Sequence, residues 1–125
     1  MRILLDTHVF LWCIRDDTRL TKAAREYILQ ATEVFVSSAS IWELSIKIKL
    51  KKLDGDILDI VKAITKSGFC ELPVTVHHAT RVVDLPEIHR DPFDRMLVAQ
   101  AISEPLSFLT SDKQFKDYSN LVHLI

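Results

Sequence analysis

Apolar residues along the chain fall into short unbroken runs that alternate with longer stretches at helical spacing. "RILL" at 2–5 suits a buried strand. "DTHVFLWCIRDD" follows, with Val9, Trp12 and Cys13 at helical spacing. "LTKAAREYILQATE" predicts a second helix with Thr21 as its N-cap and Ala24, Tyr27, Ile28 and Ala31 on one face. "VFVSS" at 34–38 is β-branched and aromatic, which predicts a second strand. Residues 40–53 carry two competing signals. "LSIKIKLK" at 44–51 alternates strictly, as a strand with one exposed face would. The stretch nevertheless runs without Gly or Pro for longer than most strands. Ser40 and Glu43 also make the S-x-x-E capping box that opens helices. Length and box together favour a helix, with Trp42, Ile46, Leu50 and Leu53 on its buried face.

The remaining pattern repeats the alternation. "DGD" at 54–56 is a turn, and "ILDIVKAITKSG" is a helix stopped by Gly68. "CELPV" is a short strand, and "VHHATRVVDLP" is a helix ended by Pro86. "PFDRMLVAQAISE" is a helix ended before Pro105, and "LSFLTSD" is a strand with a polar end. "KQFKDY" is one or two turns and "LVHLI" a last strand. Strands alternating with helices predict an α/β fold, a parallel sheet of about five short strands flanked by helices on both faces. No repeat, low-complexity tract or linker divides the 125 residues, so residues 1–125 read as a single domain. A chain of that size buries roughly two thirds of its unfolded surface, enough for a core without disulfides.

Composition narrows the function classes. The chain is 48% hydrophobic and 26% charged, ordinary globular usage. Its net charge of -1 creates no overall field, so an anionic partner must be held by a local patch. Cys13 and Cys70 are widely spaced and form no C-x-x-C, which predicts reduced thiols. His77 and His78 are adjacent, poor spacing for one metal. The apolar N-terminus is cut by Asp6 and His8 and makes a poor signal peptide. No segment approaches the ~20 apolar residues of a membrane span. A soluble, cytoplasmic protein is expected.

The acids carry the chemistry. Asp6 directly follows the first strand, and Glu43 comes shortly after the second. Asp94 lies in the first turn of a helix, and Asp112 ends "LSFLTS". In an open α/β sheet, ligands bind outside the carboxyl ends of the strands. Each acid also has a capping reading. Asp6 or Thr7 could cap the following helix, Glu43 could complete the capping box, and Asp112 could cap "KQFKDY". Asp91 could be an N-cap with Pro92 at the first helical position and Asp94 at the third. An acid near a helix start contributes about 0.3–1 kcal/mol through the helix dipole. Capping does not require convergence, and convergence is unfavourable. Two carboxylates ~4 Å apart repel by about 1 kcal/mol in water and about 4 kcal/mol at an effective dielectric of 20. A hard divalent cation removes that repulsion, taking carboxylates, waters and substrate phosphates as ligands. Such a site activates water and stabilises in-line displacement at phosphorus.

"ILLDTHVFLW", "VSSASIWELSIK", "DPFDRMLVAQA" and "FLTSDKQF" resemble, in order, the four motif blocks of PIN-domain proteins, particularly the VapC-type toxins of bacterial toxin–antitoxin pairs. The resemblance covers nearly the whole chain. It implies a parallel sheet with flanking helices and an acidic Mg²⁺ or Mn²⁺ site that cleaves RNA. It implies that Asp6, Glu43, Asp94 and Asp112 take the positions of the family's metal-binding and catalytic quartet. Thr110 takes that of a supporting hydroxyl. Asp91 belongs to the "DPFD" variant and, with Thr7, would support the site from beside it. His8 stands where many relatives have Asn. A cognate antitoxin, homodimerisation and higher toxin–antitoxin assembly are also implied.

Other groups have two readings each. Lys47, Lys49, Lys51 and Lys52 are either a solvated helix face or a sequence-independent grip on phosphates. Arg90 and Arg95 flank the acids and would hold RNA phosphates or form surface ion pairs. Trp12 and Trp42 would face the core, a partner or a stacked base. Gly55 and Gly68 are the only glycines, so no phosphate-cradling loop exists. Two further functions compete with a ribonuclease. A catalytically inactive PIN-like module that binds a partner is disfavoured because all four acids are present. A phosphoacceptor receiver wants an acidic pair after the first strand and a lysine after the last long one; "DTH" has one acid, and "LTSDK" puts an acid where the lysine is wanted. A dehalogenase-type phosphatase lacks its D-x-D.

Overall fold

The computed structural model describes all 125 residues. Five parallel strands, β1 (Arg2–Leu5), β2 (Glu33–Ser37), β3 (Cys70–Leu72), β4 (Ser107–Thr110) and β5 (Val122–Leu124), form one sheet in the order β3-β2-β1-β4-β5. Six α-helices flank it: α1 (Thr7–Ile14), α2 (Lys22–Leu29), α3 (Ser38–Lys49), α4 (Ile57–Lys66), α5 (Val76–Arg81) and α6 (Pro92–Ser103). The expected α/β class and every expected strand are therefore present.

β1 is central and pairs with β2 (Ile3 opposite Val34) and with β4 (Leu4 opposite Phe108). The chain builds outward from β1 to β3 on one side and from β4 to β5 on the other. The order thus reverses between β1 and β4, and the carboxyl ends of these strands open a crevice at the switch point. Both faces of β1 are covered. Ile3 and Leu5 join the core under α1, α2 and α4, while Leu4 joins the core of α6, Phe108 and Phe115. Alternation of side chains across a strand sandwiched by helices explains why "RILL" is apolar at each buried position.

Local signals account for most boundaries. Thr21 caps α2 by accepting from the Ala24 amide at 3.1 Å. Gly68, at φ +76°, sits just beyond α4 in the left-handed region that ends helices. The run expected as a helix up to Pro86 is shorter, with α5 closing into a 3₁₀ turn at Val82–Asp84. No helix is long and apolar enough to cross a membrane.

α3 differs from expectation in start and rotation. It begins at Ser38, and its cap is Ser37, whose Oγ accepts from the Ala39 amide at 3.0 Å. The Ser40–Glu43 capping box therefore does not form. Ser40 lies inside the helix, and Glu43 is in the second turn. The buried side chains are Ala39, Ser40, Glu43 and Leu44, whereas Trp42 is 64% exposed, Ile46 38% and Leu50 58%. Of the four residues expected inside, Leu53 alone packs against the core. The reason is the connection. Ser37 is both the last residue of β2 and the helix cap, so the strand sets the helix rotation with no loop to readjust it.

Candidate active site

The site is built at the carboxyl edge of the sheet. Asp6 leaves β1 and caps α1, its Oδ1 accepting from the Thr7 amide at 2.7 Å. Its Oδ2 accepts from the Thr110 hydroxyl, also at 2.7 Å. The residue is 3% exposed. Burial raises the Asp6 pKa; bonds from Thr110 and Thr7 and the nearby His8 work against that rise, and the charge of Glu43 adds to it. Thr110 ends β4, and its hydroxyl oxygen also accepts from the Asp112 amide at 3.0 Å. Asp112 is thereby tied to Asp6 through one threonine. The Asp112 Oδ1 caps the 3₁₀ turn Lys113–Phe115 by accepting from the Gln114 amide at 2.9 Å.

Asp91 and Asp94 divide their roles. Asp91 Oδ1 accepts from the amides of Phe93 (2.9 Å) and Asp94 (3.1 Å), so Asp91 is the cap of α6. Asp94, at the third helical position, does no capping. Helical side chains tilt toward the N-terminus, which aims Asp94 back at the sheet edge. Its pKa is raised to about 7, first by burial and then by the charges of Asp6, Asp91 and Glu43, against a lowering bond from His89. Glu43, from α3, is buried; its Oε2 lies 3.0 Å from Lys47 Nζ, and its Oε1 is buried without a partner. Asp6, Glu43 and Asp94, from three separate elements, thus lie within reach of one another's charge. The charge of Asp112 is not among the largest influences on Asp6 or Asp94.

Each carboxylate is held by a protein donor of its own, and no three His, Cys, Asp or Glu side chains are gathered closely enough to hold one ion. The donor set nonetheless fits a hard divalent cation. It is all oxygen, one carboxylate oxygen is orphaned in the interior, and two of the carboxyls are pushed toward their protonated forms by burial and mutual charge.

Thr7, buried, donates its hydroxyl to Ser40 at 2.8 Å and so links α1 to α3 beneath the acids. Arg90 is exposed. Arg95, read from sequence as a phosphate holder or a surface ion pair, lies 3.9 Å from Glu87 but is chiefly a brace. Its side chain is 11% exposed, and its guanidinium donates to the carbonyls of Pro86 (2.9 Å) and His89 (3.2 Å) and to the Tyr118 hydroxyl (3.3 Å). Lys47 is committed to Glu43, while Lys49 is exposed. Trp12 is half-buried under the guanidinium of Arg19, 5.3 Å from its ring. Trp42 meets Phe93 edge-on at 4.9 Å, and the two line an apolar groove of about 410 Å³ with Ala39, Val74, Pro92 and Met96. The groove shares its helices with the acids: Trp42 precedes Glu43, and Phe93 precedes Asp94.

Sequence reading missed Ser40 as a buried partner of Thr7 and missed His89. His89 Nε2 lies 3.1 Å from Asp94 Oδ2. No spacing rule announces it, because His89 is in the irregular segment before α6.

The PIN-domain family model matches residues 3–121. The chain belongs to the PIN-domain family. Among proteins similar to this PIN domain is ribonuclease VapC22 of Mycobacterium tuberculosis (strain ATCC 25618 / H37Rv), 28% identical over 119 residues that cover 93% of this chain and 91% of the relative. Among solved structures, the PIN fold here is similar to VapBC2 from Rickettsia felis bound to a promoter DNA fragment, with a TM-score of 0.74 and 17% identity, covering 98% of this chain and 96% of that one. A toxin–antitoxin complex from Klebsiella pneumoniae gives a TM-score of 0.64 at 20% identity, covering 92% and 91%.

Proposed function

We propose that residues 1–125 act as one unit, a Mg²⁺- or Mn²⁺-dependent endoribonuclease that serves as the toxin of a toxin–antitoxin pair. The observation that carries this reading is the convergence of Asp6, Glu43 and Asp94 at the switch point of the sheet, close enough for the charges of Asp6 and Glu43 to raise the pKa of Asp94. Membership of the PIN family and likeness to a relative named as a ribonuclease support the reaction class.

Asp6, Glu43, Asp94 and Asp112 would hold the cation by closing on it, since the ion removes the repulsion that keeps the carboxylates apart. When bound, a divalent ion supplies an activated water and offsets negative charge developing at phosphorus. Thr110 keeps Asp6 an acceptor by donating to its Oδ2, and it anchors the start of the Asp112 turn. Lys47 holds Glu43 at the rim of the cluster. Arg90 and Lys49, both exposed, are free to meet the phosphates of RNA. The partner is a cognate antitoxin, as in the complexes that share this fold. The groove of Trp42 and Phe93 offers its tail apolar anchorage beside the acids, where a basic side chain would neutralise them. A homodimer, or a higher assembly with the antitoxin, is the proposed state.

The test uses purified, antitoxin-free protein. It should cleave a structured RNA with Mg²⁺ or Mn²⁺ and stop with EDTA. Cleavage that persists after verified metal removal would overturn the mechanism. Growth arrest on expression, relieved by co-expressing the neighbouring gene, tests the toxin assignment; absence of toxicity from soluble protein in the native host would count against it.

A further inference from the structure

His89 touches Asp94 from the loop that leads into α6, and the ring is held on every side. Its Nε2 lies 3.1 Å from Asp94 Oδ2, and its Nδ1 lies 2.5 Å from the Tyr118 hydroxyl. Phe115 meets the ring edge-on at 5.5 Å, and Tyr118 packs against it at 5.4 Å. The side chain is 15% exposed. Tyr118 is fixed in turn, because Arg95 donates to its hydroxyl at 3.3 Å while also binding the backbone carbonyl of His89.

This arrangement selects a tautomer. The Tyr118 oxygen already accepts from Arg95 at 3.3 Å and from the His89 amide at 3.4 Å, which takes both lone pairs, and it has one proton to give. Nδ1 of His89 is the nearer acceptor, at 2.5 Å against 3.3 Å for the His89 carbonyl. An imidazole that accepts at Nδ1 carries its proton on Nε2 and donates from there. The recipient is Asp94 Oδ2. The other oxygen, Oδ1, accepts no hydrogen bond from the protein, although the carboxylate is only 20% exposed.

We propose that His89 is a positioning residue for Asp94: its Nε2–H fixes the carboxylate through Oδ2 and leaves Oδ1 for the divalent cation, with Tyr118 and Arg95 setting the imidazole tautomer. This rests on the metal-dependent reading above. Donors to a ligating carboxylate orient it before the ion arrives, and losing such a partner lowers metal affinity by roughly 10–100-fold. Arg95 thereby acts on the site from a distance, through a tyrosine and a histidine.

The experiment titrates Mn²⁺ calorimetrically into metal-stripped, full-length protein, alongside metal-free melting curves. The variants are His89→Ala, His89→Gln, Tyr118→Phe and Asp94→Asn. Asp94→Asn should lose Mn²⁺ binding. His89→Ala should weaken it by roughly 10–100-fold, and Tyr118→Phe should weaken it in the same direction by less. His89→Gln, whose amide N–H can reach Oδ2, should bind close to wild type. Cleavage by His89→Ala should recover as Mn²⁺ is raised, because the defect is in holding the ion. Wild-type affinity in His89→Ala, alongside loss in Asp94→Asn, would overturn the positioning role and leave the acidic site standing. A His89→Gln as weak as His89→Ala would also overturn it. A wild type that binds no Mn²⁺ overturns the metal reading and this role with it. Should His89→Ala fail to fold, His89→Gln and Tyr118→Phe decide the question.

Discussion

Asp6 and Thr110 stand 104 positions apart in the chain, yet the threonine hydroxyl donates to the aspartate at 2.7 Å in a buried setting. The bond joins the ends of β1 and β4, the two strands between which the sheet reverses its order. Thr110→Val, nearly the same shape, removes the donor to Asp6 and the acceptor for the Asp112 amide. Hydrogen bonds to charged groups contribute about 1.5–3 kcal/mol, so stability should fall by that order. Urea unfolding of Thr110→Val and Thr110→Ser separates hydroxyl from shape: serine should recover most of the loss, and if it recovers nothing the bond is not the cause.

Asp91 and Asp94 should respond to substitution in opposite ways. Asp91→Ala removes the cap that serves the Phe93 and Asp94 amides, at about 1 kcal/mol of stability. Asp94→Asn removes no cap. It relieves repulsion from Asp6 and Glu43, so the metal-free melting temperature should stay level or rise while cleavage is lost. Paired melting curves and one cleavage assay check both. Normal cleavage by Asp94→Asn together with a dead Asp91→Asn would mean the roles are reversed.

The raised pKa of Asp94 has a signed consequence for the metal-free protein. Its folded value of about 7 lies above the ordinary 3.8, so the native state holds this proton more tightly than the unfolded chain. Between about pH 4 and pH 7 the unfolded state ionises first, and native stability falls as pH rises through that window. Asp6, raised by burial, acts in the same direction. The urea midpoint in EDTA, measured across the window, should therefore change with pH less steeply in Asp94→Asn than in wild type. Parallel profiles for the two proteins would refute the assignment.

Added Mg²⁺ should reverse that penalty. A ligand that binds only the native state stabilises it by mass action, about 2.7 kcal/mol at a hundredfold excess over its dissociation constant. The wild-type melting temperature should rise with Mg²⁺, and Asp94→Asn should rise less. Equal shifts would place the ion elsewhere.

Much of this protein is legible in its sequence because the signals are local. Apolar runs gave the strands, and their alternation with helices implied a parallel sheet. Asp91, followed by proline, announced itself as a cap. Asp6, Glu43 and Asp112 could be placed near the sheet edge, because that requires only knowing where strands end; Asp94 could join them only if its helix began there. Tertiary structure decided the rest. It turned Trp42 outward and Glu43 inward, since the rotation of α3 is inherited from β2 across a connection with no free residue. It drew Arg95 away from solvent and into the carbonyls of a loop. It set His89 against Asp94 and Tyr118 against His89, contacts of the irregular segment before α6 with a residue far along the chain. Such pairings follow from how separate elements pack, and no periodicity in the chain encodes them.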